Sequence, residues 1–278
     1  MTSTFCIRPT KGRATCSFVF TLSGGPPISK RQSVLKTPDV AAVIVTATNG
    51  GPIRTITGRA LLRPNGRFPS RKAWRVLPFE AMHERALMWI CEADPSIKTF
   101  LSQPHRLEMN IGEARPLVYF PDLMWESADG RIEIIETKKT LSEVRRDPRY
   151  EMKLELARWV YEREGWSYRV LDEKTIFAEP RWSNARAIVT DRHTVLSSRD
   201  KLRLIERLQQ GPITYGKAIA TLSVSDSPFD PVARAKLHAM FVRRQAHIDI
   251  SQVIRISTAI TATHGCRSKG PSEPWTPR

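Results

Sequence analysis

Two short stretches carry residue types that could do chemistry. The run LVYFPD ends in Pro121-Asp122, and IEIIETKK carries Glu136 and Lys138. Side chains alternate along a strand, so Glu136 and Lys138 leave one face together, a carboxylate beside an ammonium. Asp122 lies fourteen residues earlier, at the end of another strand-like run. Two carboxylates and a lysine converging at a sheet edge suit metal-assisted hydrolysis of a phosphodiester. The carboxylates hold a hard cation, the lysine orients or deprotonates a water, and the phosphate sits between them. An isolated E-x-K is most often a surface strand pair or an ion pair. Here Ile132, Ile134 and Ile135 predict a buried strand, where a charged pair is costly unless it is partnered or metal-bound.

A third acid lies upstream. FEAMHERALMWICEADP predicts a helix over 79–92, with Phe79, Met82, Ala86, Leu87, Ile90 and Cys91 as its apolar stripe. Glu80 and Glu84, four residues apart, share one face of that helix. That face is either solvated or turns one of the two acids toward the metal.

These residues need a scaffold, and the chain divides into four parts. Residues 1–62 read as a basic, flexible arm, broken by SGGPPISK and TNGGPI, in which VAAVIVTAT could make one strand. Residues 63–180 read as an α/β core: a mixed sheet flanked by helices. HRLEMNI and PLVYF flank a turn at Gly112, and IEIIET follows the Asp129-Gly130 turn as the central strand. Pro148 opens a helix that stops at Gly165, with Met152, Leu156, Trp159 and Val160 as its buried stripe. WSYRVLD adds a strand and DEKTI a short helix. Residues 181–262 read as four helices and the strand-like QAHIDIS, in the order of a winged helix-turn-helix. Arg234, Lys236, Arg243 and Arg244 line its last helix, either as a DNA-contacting surface or as the solvated face of a protein-docking domain. Residues 263–278 read as a disordered tail.

Charge is distributed unevenly along the chain. Lys and Arg number 44 against 28 Asp and Glu, a net +16, and +12 of it falls in residues 1–78, where Asp39 is the one acid. That bias points to a polyanion, nucleic acid first. Cys6, Cys16, Cys91 and Cys266 have neither metal-site nor disulfide spacing, which suits a reducing cytoplasm. No apolar run reaches membrane-spanning length and no basic amphipathic helix is evident, so no membrane partner is expected. Arg8, Lys11 and Arg13 before ATCSFVFTL imitate an export signal, but the run is short and no cleavage site follows. GPITYGKA nearly spells a phosphate-binding loop, yet Ala218 stands where a magnesium-binding hydroxyl belongs and a helix precedes it. No H-E-x-x-H pair supports a zinc hydrolase.

Taken in order, His83-Glu84-Arg85, Ser102-Gln103-Pro104, Pro121-Asp122 and Glu136-Thr137-Lys138 make the chain resemble the TnsA family. That family supplies the endonuclease subunit of heteromeric cut-and-paste DNA transposases, and is similar to the wider PD-(D/E)xK nucleases. The resemblance covers about 66–178, with a looser echo to about 262. It implies a restriction-endonuclease-like core and a small winged-helix-like C-terminal domain. It also implies Mg²⁺, with Mn²⁺ as a substitute, held by Glu84 (Glu80 as the fallback), Asp122, Glu136 and the Thr137 carbonyl. Lys138 would steer the water, and Gln103 and Lys139 would touch substrate or support the site. The implied partners are double-stranded DNA at transposon ends, a DDE-type transposase subunit that cuts the other strand, and an AAA+ ATPase regulator. The implied setting is the bacterial cytoplasm, at the nucleoid. A nuclease of the same fold in restriction, repair or phage DNA processing stays open, as does a non-catalytic DNA- or protein-binding module.

Overall fold

In chain order, two strands come first in the computed structural model, which describes residues 15–20, 40–54, 64–112 and 115–263. They are β1 (Thr15–Phe20) and β2 (Ala41–Ala47), and a hairpin follows, β3 (Gly66–Ser70) and β4 (Arg75–Phe79). Helix α1 (Met82–Ala93) leads to β5 (Ile97–Ser102), β6 (His105–Asn110), β7 (Leu117–Tyr119), β8 (Leu123–Ser127) and β9 (Ile132–Lys138). A short α2 (Ser142–Arg145) precedes the long α3 (Pro148–Arg163), then β10 (Ser167–Asp172) and α4 (Glu173–Ile176). The remainder is helical: α5 (Arg181–Thr190), α6 (Ser198–Gln209), β11 (Ile213–Thr214), α7 (Tyr215–Leu222), α8 (Pro231–Val242) and β12 (Ala259–Ile260).

Local chemistry sets these boundaries. The Asp147 carboxylate accepts from the N–H groups of Arg149 and Tyr150, and Pro148 occupies the first turn, so α3 starts there. It ends before Gly165, whose φ of +76° is a left-handed value that glycine adopts freely. Ser197 and Asp200 satisfy each other's backbone N–H groups in a reciprocal cap that opens α6.

The architecture is mixed α/β. One four-stranded sheet has the order β1-β2-β6-β7, antiparallel throughout; a second has the order β10-β9-β8-β5, with β10 and β9 parallel; β3-β4 and β11-β12 form two-stranded pairs. The parallel pair needs a crossover, and α2 and α3 supply it. Strand β9 is covered on both sides, and Ile134 and Ile135 are each fully buried. Ile134 belongs to a core with Met124, Leu154, Tyr161 and Tyr168, under α3. Ile135 belongs to the other, which runs from Leu87, Ile90 and Cys91 of α1 to Ile188 of α5 and Phe241 of α8.

That second core joins the regions read as separate parts of the chain. The helices after residue 180 share one hydrophobic core with α1, and α5 packs directly on α1. The ties are also polar: Arg181 pairs with Asp94 at 3.4 Å, and Arg244 Nε donates to the Pro95 carbonyl at 3.1 Å. Part of the stretch read as an arm over 1–62 belongs to a sheet. Strand β2 sits inside a sheet, paired with β6, with Ala42, Ile44 and Val45 buried. Residues 1–14, 21–39 and 55–63 and the tail from residue 264 lie outside the described residues.

Three smaller expectations shift. The helix read over 79–92 begins at Met82, because Phe79 ends β4 and Ala81 is extended. Glu80 therefore lies before the helix and does not share a helical face with Glu84. On α3 the buried residues are Leu154, Ala157, Val160 and Tyr161, while Met152 is exposed. The strand-like 245–251 reduces to a single bridge, His247 to Thr261.

Candidate active site

The site forms where the ends of β9 and β7, the residue before β8 and the first turn of α1 meet. Alternation along β9 puts Ile132, Ile134, Glu136 and Lys138 on one face. Ile134 is core, so Glu136 emerges just beyond it, 3 % exposed. A buried carboxylate needs donors, and this one has them on both oxygens. Tyr119 donates its hydroxyl to Oε2 at 2.7 Å. Tyr150, from α3, donates to Oε1 at 2.5 Å, and Lys138 Nζ donates to the same oxygen at 2.6 Å. Tyr168 from β10 stands 3.2 Å from the Tyr119 hydroxyl.

Asp122 is fixed from the next strand. Its Oδ2 accepts from the Thr137 backbone N–H at 2.7 Å and from the Thr137 hydroxyl at 2.8 Å. Thr137 thus meets Asp122 through its N–H and side chain. Glu84, in the first turn of α1, turns one oxygen back to the Glu80 backbone N–H at 2.8 Å. It thereby satisfies an amide left open at the helix start.

Electrostatics bind these groups into one set. Burial, then the negative charges of Glu136 and Glu84, hold the Asp122 carboxyl well above the usual carboxylate range. Burial first, and then Glu80 and Glu136, push Glu84 up to about 7. Burial alone would lower the Lys138 ammonium, but Glu136 and Asp122 outweigh it and raise it. Three carboxyl groups crowd one ammonium, so burial and mutual repulsion oppose ionising all three. An added cation would relieve that repulsion, and the all-oxygen donors suit a hard ion such as Mg²⁺. Among the described residues, no three His, Cys, Asp or Glu side chains stand as a ready metal cluster. In this placement Glu136 is clasped by its tyrosines and Lys138, and Glu84 by the Glu80 backbone N–H ahead of its helix.

The other expected residues divide. Gln103 is buried, has φ +44°, and its backbone N–H donates to the Asp122 carbonyl at 2.8 Å. Its side-chain oxygen has no hydrogen-bond partner. It abuts the site through the backbone. Lys139 is exposed, one residue past the strand. The four α8 cations do not form a free basic face, because α8 is a core helix, with Leu237 through Val242 all buried. Lys236 pairs with Asp200 at 2.9 Å. Arg243 donates to the Thr194 carbonyl at 2.8 Å, and Arg244, beyond the helix, turns to Pro95. Arg234 is exposed and lines a separate cavity of about 480 Å³. There Asp191 Oδ2 and His238 Nδ1 lie 2.7 Å apart, and His238 Nε2 and the Tyr215 hydroxyl also 2.7 Å.

Sequence reading missed Tyr119, Tyr150 and Tyr168. Tyr119 had a usable signal, standing three residues before Asp122 in the same strand-like run. Tyr150 and Tyr168 had none, because only the crossover brings α3 and β10 beside Glu136.

No protein-family model matches the chain, and no curated protein matches it either.

Proposed function

We propose that the chain is a divalent-metal-dependent DNA endonuclease with a restriction-endonuclease-like core. By its resemblance to TnsA, it would be the subunit that cuts the 5′ end of a transposon. The observation that carries this reading is the convergence of Glu84, Asp122, and the β9 pair Glu136 and Lys138, with the Glu84 and Asp122 carboxyls raised by burial and then by neighbouring carboxylate charge. The mixed sheet, with its crossover between β9 and β10, is compatible with that class. The order α6, β11, α7, α8, β12 supports a winged-helix-like reading of the C-terminal region.

A divalent cation taken up by these oxygens would neutralise the scissile phosphate and make a bound water acidic. The chain's own residues do the rest. Thr137 locks Asp122, and Tyr119 and Tyr150 lock Glu136, so both carboxylates are held before substrate arrives. Lys138 is charged and partly exposed, and can orient a water or offset charge building on the phosphate. Gln103 holds the backbone on which Asp122 sits. The partners would be transposon-end DNA, a DDE-type transposase and an AAA+ ATPase.

The test is cleavage of transposon-end DNA in Mg²⁺, in Mn²⁺ and in EDTA, with and without the partner proteins. Asp122→Ala and Glu136→Ala should each lower cleavage at least about a thousand-fold, a deficit of about 4 kcal/mol in the barrier. Near wild-type cutting by either variant would sink the assignment. A non-catalytic DNA- or protein-binding module is the second reading, favoured by the closed clasp on Glu136. Absence of both cation binding and cleavage in the wild type would select it.

A further inference from the structure

We infer that the excursion between Lys138 and Tyr150 is a phosphate-contacting surface, one that holds duplex DNA beside the site. Its partner is named from the nuclease reading above. The chain leaves β9 at Lys138, whose Nζ donates to Glu136, and returns at Tyr150, whose hydroxyl donates to the same Glu136 oxygen. Residues 139–149 are thus tethered to one carboxylate at both ends. From Lys138 to Lys153 the chain carries six basic residues against Glu143, Asp147 and Glu151. Asp147 is occupied as the cap of α3.

Lys139, Arg145 and Arg146 are exposed. Their side chains form no hydrogen bond or ion pair among the described residues. Lys138 and Lys153 lie over the Tyr150 ring at 5.0 and 5.1 Å, continuing the positive surface up to Glu136. On α8 and just after it, by contrast, Lys236, Arg243 and Arg244 are committed to partners within the fold. Cations left without internal partners, on a surface anchored to the acidic site, match a polyanion whose one strand reaches that site.

The experiment measures affinity of the full chain for random-sequence duplex DNA at several salt concentrations, in EDTA so that nothing is cut. Arg145→Ala with Arg146→Ala should flatten the slope of log affinity against log salt by roughly 1.8 if both contact phosphate. Arg145→Lys with Arg146→Lys should keep the slope, since charge carries the contact. Arg199→Ala with Lys201→Ala on α6 should leave it unchanged. An unchanged slope in the alanine double overturns the inference and leaves the surface to an acidic protein. So does an equal loss in the lysine double or in the α6 control, or a wild type that binds no duplex. A wild type that cuts DNA while the alanine double keeps its slope overturns this inference alone. A wild type that binds through Arg145 and Arg146 but never cuts overturns only the nuclease reading.

Discussion

Glu84 ties acidity to stability. Its carboxyl in the fold sits near 7, above its value of about 4.3 in an unfolded chain. The folded state therefore holds the proton more tightly. The stabilisation is complete below about pH 4 and is lost as pH rises through about 7. Asp122 shifts in the same direction. The metal-free protein should accordingly melt at lower temperature at pH 8 than at pH 5. Glu84→Gln should recover part of the loss, with about 2–4 °C for each kcal/mol regained in a chain of this size. Thermal melts across pH in EDTA check this, and an unaltered pH profile in Glu84→Gln would refute it. Tyr119→Phe should act oppositely. It strips a buried carboxylate oxygen of a donor, at a cost of about 1–3 kcal/mol. Denaturant unfolding at constant pH measures that.

Among the elements, α8 separates packing from charge. Leu237 is fully buried, so Leu237→Ala should cost about 2–5 kcal/mol. Arg234→Ala, at an exposed position on the same helix, should stay within about 0.5 kcal/mol. Equilibrium unfolding of both variants tests the contrast; equal losses would mean that α8 is not the core helix described. Gly216, in the stretch that imitates a phosphate-binding loop, has a packing reason instead. A Cβ there would meet Ile256 Cγ2 at 2.5 Å, so Gly216→Ala should destabilise by about 1–3 kcal/mol.

The same elements show what the sequence disclosed. Caps and stops marked α3, since Asp147, Pro148 and Gly165 act locally. The period of IEIIETK marked β9 and the shared face of Glu136 and Lys138. Glu80 was misplaced because strand geometry persists to Phe79, and the apolar residues around it fit a helical spacing equally well. A charge pattern does not reveal that the partners of Lys236, Arg243 and Arg244, which are Asp200, Thr194 and Pro95, arrive from distant segments. The tyrosine clasp stayed hidden for the same reason.

At the scale of the molecule, the continuous core from α1 to α8 makes the C-terminal helices part of what holds Glu84 in place. A chain ending at residue 180 would lay bare Leu87, Ile90 and Cys91. It should lose the cooperative thermal transition and bind a hydrophobic dye. A truncated chain that melts sharply would show that the first part folds alone. No helix among the described residues is long and apolar enough to cross a membrane.

Cys91 gives that shared core a clock. Its thiol is fully enclosed, and burial raises its pKa far above the ordinary thiol value, so the reactive thiolate is suppressed twice over. An alkylating reagent can reach it only when α1 parts from the helices packed on it. With Cys6, Cys16 and Cys266 replaced by serine, the rate of labelling at Cys91 would time those openings in the native protein. A cation that draws Glu84 and Asp122 together should lengthen the interval between them.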